Sequence, residues 1–154
     1  MRNKPVLLSI RPEYAKKIFE GSKTVELRRV RPRYLEAGDY ILIYVSNPSK
    51  SLSGLLKVEQ VVEDTIENLW EKVKDKAGVS REEFNLYYNN LSTGIGIFFD
   101  EVRRFSEPMS LEYLKEKIIG FTPPQGFRYI TSKEIQSSPI AELVESLMGA
   151  YPDN

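Results

Sequence analysis

Short runs of apolar, β-branched and aromatic residues recur about six times along this chain, at the length of strands rather than helices. Helical periodicity stands between the first run and the second, and two further helical patterns come just before the fifth. A doubly wound parallel sheet needs a crossover helix for nearly every strand. This chain has too few. The order of elements predicts an α+β fold, a small mixed β-barrel with helices around it.

The individual signals are local. Pro5-Val6-Leu7-Leu8-Ser9-Ile10 reads as a buried first strand, and Pro12 suits the first turn of a helix carrying Tyr14, Ala15, Ile18 and Phe19. Gly21 is placed to stop that helix in a left-handed conformation. From Thr24 to Arg31 the residues alternate, with Val25 and Leu27 on one face and Glu26 and Arg28 on the other. Tyr40–Val45 is apolar on both faces and predicts a central strand, followed by a polar loop over 46–51 and a strand over 55–62. Asp64 with Glu67, and Ser80 with Glu83, have the spacing of capping boxes. A strand starting at Gly94 and running on to Phe105, a short helix capped by Ser110, and a strand at Phe127–Ile130 follow. A tail helix from about Pro139 presents Ile140, Leu143, Val144, Leu147 and Met148 on one face. That stripe needs cover, either from its own barrel or from a second helix. The reading divides the chain into a barrel domain over 1–131 and a helical extension over 132–154, in a monomer or weak homodimer.

Composition limits the chemistry more than the fold. The 154 residues include neither cysteine nor histidine. Thiolate catalysis, disulfides, histidine triads and histidine- or cysteine-based zinc sites are thereby excluded, and no metal or cofactor is expected. With no cysteine, no export signal at the N-terminus and no apolar run long enough for a membrane span, the expected location is the cytoplasm. Net charge is zero, from 22 basic and 22 acidic residues, but the balance is uneven. Residues 1–50 hold 11 Lys or Arg against 5 Asp or Glu; residues 51–154 hold 11 against 17.

Much of the positive excess lies between Lys23 and Arg33, which includes Arg28, Arg29, Arg31 and Arg33 with Glu26 as the lone acid. Planar guanidinium groups match phosphate oxygens, so Arg29, Arg31 and Arg33 are candidates for holding a nucleic-acid backbone. The same charges would also protect a solvated edge strand. Glu26 and Arg28 leave one strand face, with Lys23 near its entrance: a binding site if that face lines a barrel, an ordinary surface pair if it meets water. Gly94 and Gly96 lack the third glycine of a dinucleotide loop and read instead as a bulge or the close approach of a ligand or another backbone. Among 17 aromatic residues (9 Tyr, 7 Phe, 1 Trp), Tyr44 and Tyr129 adjoin polar loops and are candidates for stacking on a base.

The segment Ser9-Ile10-Arg11-Pro12-Glu13-Tyr14-Ala15, with Ile18, and then Gly21-Ser22-Lys23-Thr24-Val25-Glu26-Leu27-Arg28, resembles the ASCH (activating signal cointegrator homology) domain family in its stand-alone prokaryotic form. Gly38-Asp39, Ser46-Asn47-Pro48 and Pro123-Pro124-Gln125-Gly126-Phe127-Arg128-Tyr129 continue the likeness, which covers roughly residues 5–130. The resemblance implies the PUA-like fold, a small barrel related to RNA-binding domains. It also implies a cleft at the barrel's mouth lined by Lys23, Glu26 and Arg28 and bordered by Arg11, Ser46, Asn47 and Lys50, with Arg128 joining from the closing motif. RNA or a nucleotide-like small molecule is the ligand it implies. One branch of the family hydrolyses the amide of acetylated cytidine with a lysine, a threonine and a glutamate. Lys23 matches that pattern, but Glu26 stands at the threonine position and Ala77 near the glutamate. The sequence therefore predicts a binding module without catalysis, Lys23 and Glu26 being the catalytic candidates should it be a small hydrolase or nuclease. An interaction module for protein partners is the third reading.

Overall fold

The structure is a computed structural model that describes residues 4–148. Six strands form one sheet: β1 (Val6–Ile10), β2 (Val25–Arg28), β3 (Tyr40–Val45), β4 (Ser51–Thr65), β5 (Thr93–Ser110) and β6 (Phe127–Tyr129). Around it stand α1 (Pro12–Glu20), α2 (Ile66–Val73), α3 (Arg81–Tyr87), α4 (Leu111–Lys117), α5 (Ser132–Gln136) and α6 (Ser138–Met148). The strand order is β2-β5-β4-β3-β1-β6, with β1 and β3 parallel and the other neighbours that have a register antiparallel. The sheet curls into a half-barrel with β2 and β6 as its two edges. Joining parallel β1 to β3 takes one crossover, which contains α1 and the edge strand β2.

Side-chain alternation divides the apolar residues into an inside and two outside layers. Val6, Leu8 and Ile10, Ile41, Ile43 and Val45, Leu56 and Val58, and Ile95, Ile97 and Phe99 fill the concave interior, closed at one end by Ala15 and Ile18 of α1. On the convex face, Leu7, Leu42, Leu52 and Leu55 pack under Leu114 of α4 and Ile140, Leu143 and Val144 of α6. Elsewhere on that face, Val25 and Leu27 of β2 lie under Leu69 and Val73 of α2 and Phe84 of α3. The tail stripe is thus covered by the barrel's own outer face through Ile140, Leu143 and Val144; the side chains of Leu147 and Met148 lie outside the described residues.

Several expectations are met at the residues that carry them. Pro12 opens α1, Gly21 ends it at φ 89°, Ser80 and Glu83 make a reciprocal capping box, and Ser110 accepts from Tyr113 N. Others shift. β2 ends at Arg28 rather than Arg31, because the Tyr88 hydroxyl donates to the carbonyls of Arg28 and Ile95 where the next ladder step would form. Strands β4 and β5 run to 15 and 18 residues, longer than their apolar cores, because three register shifts let them bend around the barrel while staying paired. Thr65, not Asp64, caps α2, while Asp64 takes the Thr65 N–H and Lys72. Helix α5 is an addition. Its signal is the Thr131–Glu134 capping box, with a carboxylate that also binds Arg128.

Gly94 and Gly96 mark a close approach, but of side chains rather than of a ligand or another backbone. Both lie on the convex face of β5, where a Cβ at Gly94 would come within 2.6 Å of Tyr88 and one at Gly96 within 3.2 Å of Leu69. These positions let α2 and α3 settle directly on the sheet. Gly94→Ala is expected to lower stability by about 1–3 kcal/mol, as overpacking does, read as a lower urea midpoint at unchanged m-value. An unchanged midpoint would show that the helices do not need the approach.

Candidate functional site

Burying Val25 and Leu27 beneath the insertion helices dictates where their neighbours go. Glu26 and Arg28 must point into the concave side, and both are largely buried there. Lys23 approaches from the turn after α1 and is only 2% exposed. Its Nζ donates to the carbonyl of Ala77 at 2.7 Å, lies 3.4 Å from Glu26 Oε1 and stands 5.5 Å from the centre of the Tyr14 ring. The other carboxylate oxygen, Oε2, accepts from Arg28 Nη2 at 2.6 Å. One buried acid therefore stands between two cations. Burial pulls the Lys23 ammonium below its ordinary pKa; Glu26 opposes that shift, while Arg28 and Lys17 reinforce it.

The trio sits at the seam of the half-barrel. Arg28 on edge strand β2 reaches across to the Ser9 carbonyl on β1 at 3.4 Å, next to the point where Ser9 N donates to Gly126 O. Between β2 and β1 opens a cleft of about 700 Å³. Ser9, Arg11, Ser46 and Gln125 border it on the β1 side; Lys23, Glu26, Arg28 and Arg29 on the β2 side; Tyr14, Val79, Glu83, Leu86 and Tyr87 on the α1 and α3 side. The second acid, Glu83, is engaged in the α3 cap through Ser80 N and accepts from the Tyr14 hydroxyl at 3.2 Å. Arg28 Nε is buried with no hydrogen-bond partner, alone in this among the buried side-chain nitrogens and oxygens described. The cleft thus presents four cationic side chains, and both of its carboxylates are already engaged.

The expected site residues fall into two groups. Arg11, Lys23, Glu26, Arg28, Arg29 and Ser46 line the cleft together. Asn47 and Lys50 are exposed on the loop beyond it, and Arg31 and Arg33 are exposed past the end of β2, with Arg31 donating to Leu35 O. Arg128 lies elsewhere: Glu134 holds it through both guanidinium nitrogens at 2.7 Å, fastening α5 to β6. Neither tyrosine proposed for stacking lines the cleft. Tyr44 is 3% exposed in the convex core, and the Tyr129 hydroxyl donates to Arg33 O. Tyr14, Glu83, Leu86, Tyr87 and Gln125 were not legible as lining this cleft: Glu83, Leu86 and Tyr87 share one face of α3, but no spacing in the chain brings that face to α1 and Gln125. Ala77, near the amidohydrolase glutamate position, contributes a backbone carbonyl to Lys23. Among the described residues, no group of three or more His, Cys, Asp or Glu could hold a metal ion, and no helix is long and apolar enough to cross a membrane.

Removing one member of such a buried cluster leaves the others uncompensated. Glu26→Gln keeps the shape but strands two cations, and is expected to cost about 3 kcal/mol or more in urea unfolding. Lys23→Met should cost clearly less in the Glu26→Gln background than in the wild type. Strict additivity of the two changes would show that the pair is not coupled.

Residues 8–124 match the ASCH domain family. The chain is 30% identical over 133 residues to an ASCH domain-containing ribonuclease of Zymomonas mobilis, spanning 86% of this chain and 88% of that one. Its structure is similar to the crystal structure of ASCH from Zymomonas mobilis, with a TM-score of 0.79 at 30% identity over 86% of this chain and 92% of the other. A serine-to-alanine mutant of that protein gives 0.82 at 29% identity, over 92% and 96%. The N-terminal domain of Staphylothermus marinus McrB, at 12% identity and a TM-score of 0.56 over 98% and 96%, shares the fold. On the family match and the Zymomonas relative together, this chain belongs to the ASCH domain family.

Proposed function

We propose that the chain binds single-stranded RNA, seating one nucleotide in the seam cleft with the adjacent backbone on the arginines after β2. The observation that carries this reading is the imbalance inside the cleft. Arg11, Lys23, Arg28 and Arg29 line it against Glu26 and Glu83; Lys23 and Arg28 share the single charge of Glu26 and Glu83 is engaged in the α3 cap, so the lining keeps a positive excess. Such a lining favours a group rich in acceptors and negative charge, which a phosphodiester and the carbonyl edge of a base both supply. Arg28 has one buried donor still unmatched, so a strand that draws its guanidinium toward the cleft and offers it an acceptor would remove the cost of leaving it unpaired. The ribonuclease name of the Zymomonas relative supports RNA as the class of ligand. Glu26 acts here as the fixed counter-charge that holds Lys23 and Arg28 in place.

The relative's name also favours a second reading, cleavage of the bound strand. In that chemistry the ribose 2′-oxygen attacks the neighbouring phosphorus as its proton passes to a base, and the 5′-oxygen leaves as it gains a proton. Lys23, whose pKa burial lowers against the opposing pull of Glu26, is the group in the cleft suited to carry a proton. Arg28 would face the charge gathering on the phosphoryl oxygens.

Titrating a labelled single-stranded RNA at several salt concentrations tests the first reading. If about four phosphates are held, log K should fall against log salt with a slope near −3. Arg29→Ala, Arg31→Ala and Arg33→Ala combined should flatten that slope by about 2. No binding at low salt contradicts RNA binding and favours a protein-interaction role; a slope untouched by the triple change contradicts the seating of the backbone on these arginines. Incubation of the same RNA and its 2′-deoxy counterpart tests the second. A cyclic-phosphate product from RNA alone, lost in Lys23→Met while binding persists, would establish cleavage.

A further inference from the structure

The lip of the cleft on the α3 side has a feature that neither the core nor the buried trio explains. Leu86 is 76% exposed although it lines the cleft, between Phe84 and Tyr88, which are fully buried beneath it. A large apolar side chain left open at the mouth of a cationic cleft does not serve the core. Beside it, the Arg29 guanidinium lies over the Tyr87 ring, 4.2 Å from its centre, and its Nε donates to the Tyr87 carbonyl at 2.7 Å. Tyr87 is itself fixed, edge-on to Tyr88 at 4.8 Å and with its hydroxyl donating to Leu27 O. The guanidinium is therefore held against a fixed ring, and the residue remains exposed to solvent.

We propose that Leu86 and the Arg29–Tyr87 stack form a shelf for an unpaired nucleobase, the one next to the nucleotide seated in the cleft. This rests on the RNA reading above and adds to it a subsite and a selectivity. Bases stack readily on guanidinium planes and on flat apolar surface, without regard to which base is present. A guanidinium already anchored at Nε and by its ring loses little freedom when a base arrives. The charge argues for a nucleic acid over an apolar peptide, because the shelf is continuous with a lining of four cations. A base can reach the shelf only when it is out of a duplex, so the lip selects single strands over paired ones. The insertion between β4 and β5 thus does two things: α2 and α3 bury the outer face of β2, and the end of α3 reads the strand next to the cleft.

The test uses the full chain and a short oligouridine carrying 2-aminopurine at successive positions, with a matching set carrying an abasic site. In the wild type, fluorescence should be quenched most strongly at one position, and an abasic site there should weaken binding about tenfold, as loss of one stacked base does. Leu86→Ala, at an exposed position, should weaken binding of the intact strand about fivefold, leave the salt slope unchanged and make the abasic penalty smaller. Arg29→Ala should remove the quenching and also flatten the slope by about 0.7. Duplex RNA should compete poorly. If the wild type binds the strand but Leu86→Ala binds it equally, with the abasic penalty intact, the shelf is wrong and the RNA reading stands. If the wild type prefers duplex RNA, the shelf is likewise overturned. If the wild type binds no RNA at any salt, both fall.

Discussion

A single buried carboxylate organises the working end of this molecule. Glu26 lies on the inward face of β2 with Lys23 at one oxygen and Arg28 at the other, all three largely shielded from water. Removing ions from water is costly, and the arrangement is tolerable only because each charge meets another and most remaining donors are used. Lys23 gives a donor to Ala77, and Arg28 gives one to Ser9 across the seam. The cluster therefore connects the turn after α1, the segment joining the insertion helices at Ala77, and β1 across the seam.

The rest of the architecture explains why those charges are there at all. An edge strand of four residues can bury only one face by packing helices on it, and α2 and α3 take the face carrying Val25 and Leu27. Alternation then sends Glu26 and Arg28 toward the interior, at the one place where the half-barrel lacks a strand to close it. A polar cleft results where a closed barrel would have more apolar core. The glycines of β5 belong to the same construction, since they allow Tyr88 and Leu69 to come down on the sheet. Tyr88 in turn ends the β2 ladder at Arg28 and frees the chain to turn outward with Arg29, Arg31 and Arg33.

Much of this was legible from the sequence, because the signals were local. The Val25–Arg28 alternation, the Pro12 and Gly21 helix ends, the Ser80–Glu83 box and the shortage of crossover helices each point to what is found. What alternation could not decide is which face of β2 meets water, since that depends on helices about 40 or more residues further along; the family resemblance supplied the answer. The extended β4 and β5 were underestimated because their outer parts are polar, and ladder pairing with bulges, not apolar content, keeps them in the sheet. Tyr14, Glu83, Leu86 and Tyr87 join the cleft from α1 and α3, and no spacing in the chain announces that meeting. Arg128 shows the converse. It lies in a motif that pointed to the ligand, yet the Thr131 cap places Glu134 within its reach, and that carboxylate takes it.

The central claim is that the seam cleft, with Arg28 at its floor, is where RNA enters. The most direct measurement is the ¹⁵N-edited NMR signal of the arginine Nε–H groups, assigned by single Arg→Lys changes and followed while a short single-stranded RNA is added. Arg28 Nε–H, buried and unpartnered in the free protein, should shift furthest as its guanidinium turns to meet the strand, with Arg29 shifting alongside it. Arg128, already bound by Glu134, should stay where it is. Saturating RNA that leaves the Arg28 resonance unmoved while shifting only arginines away from the seam would contradict the account.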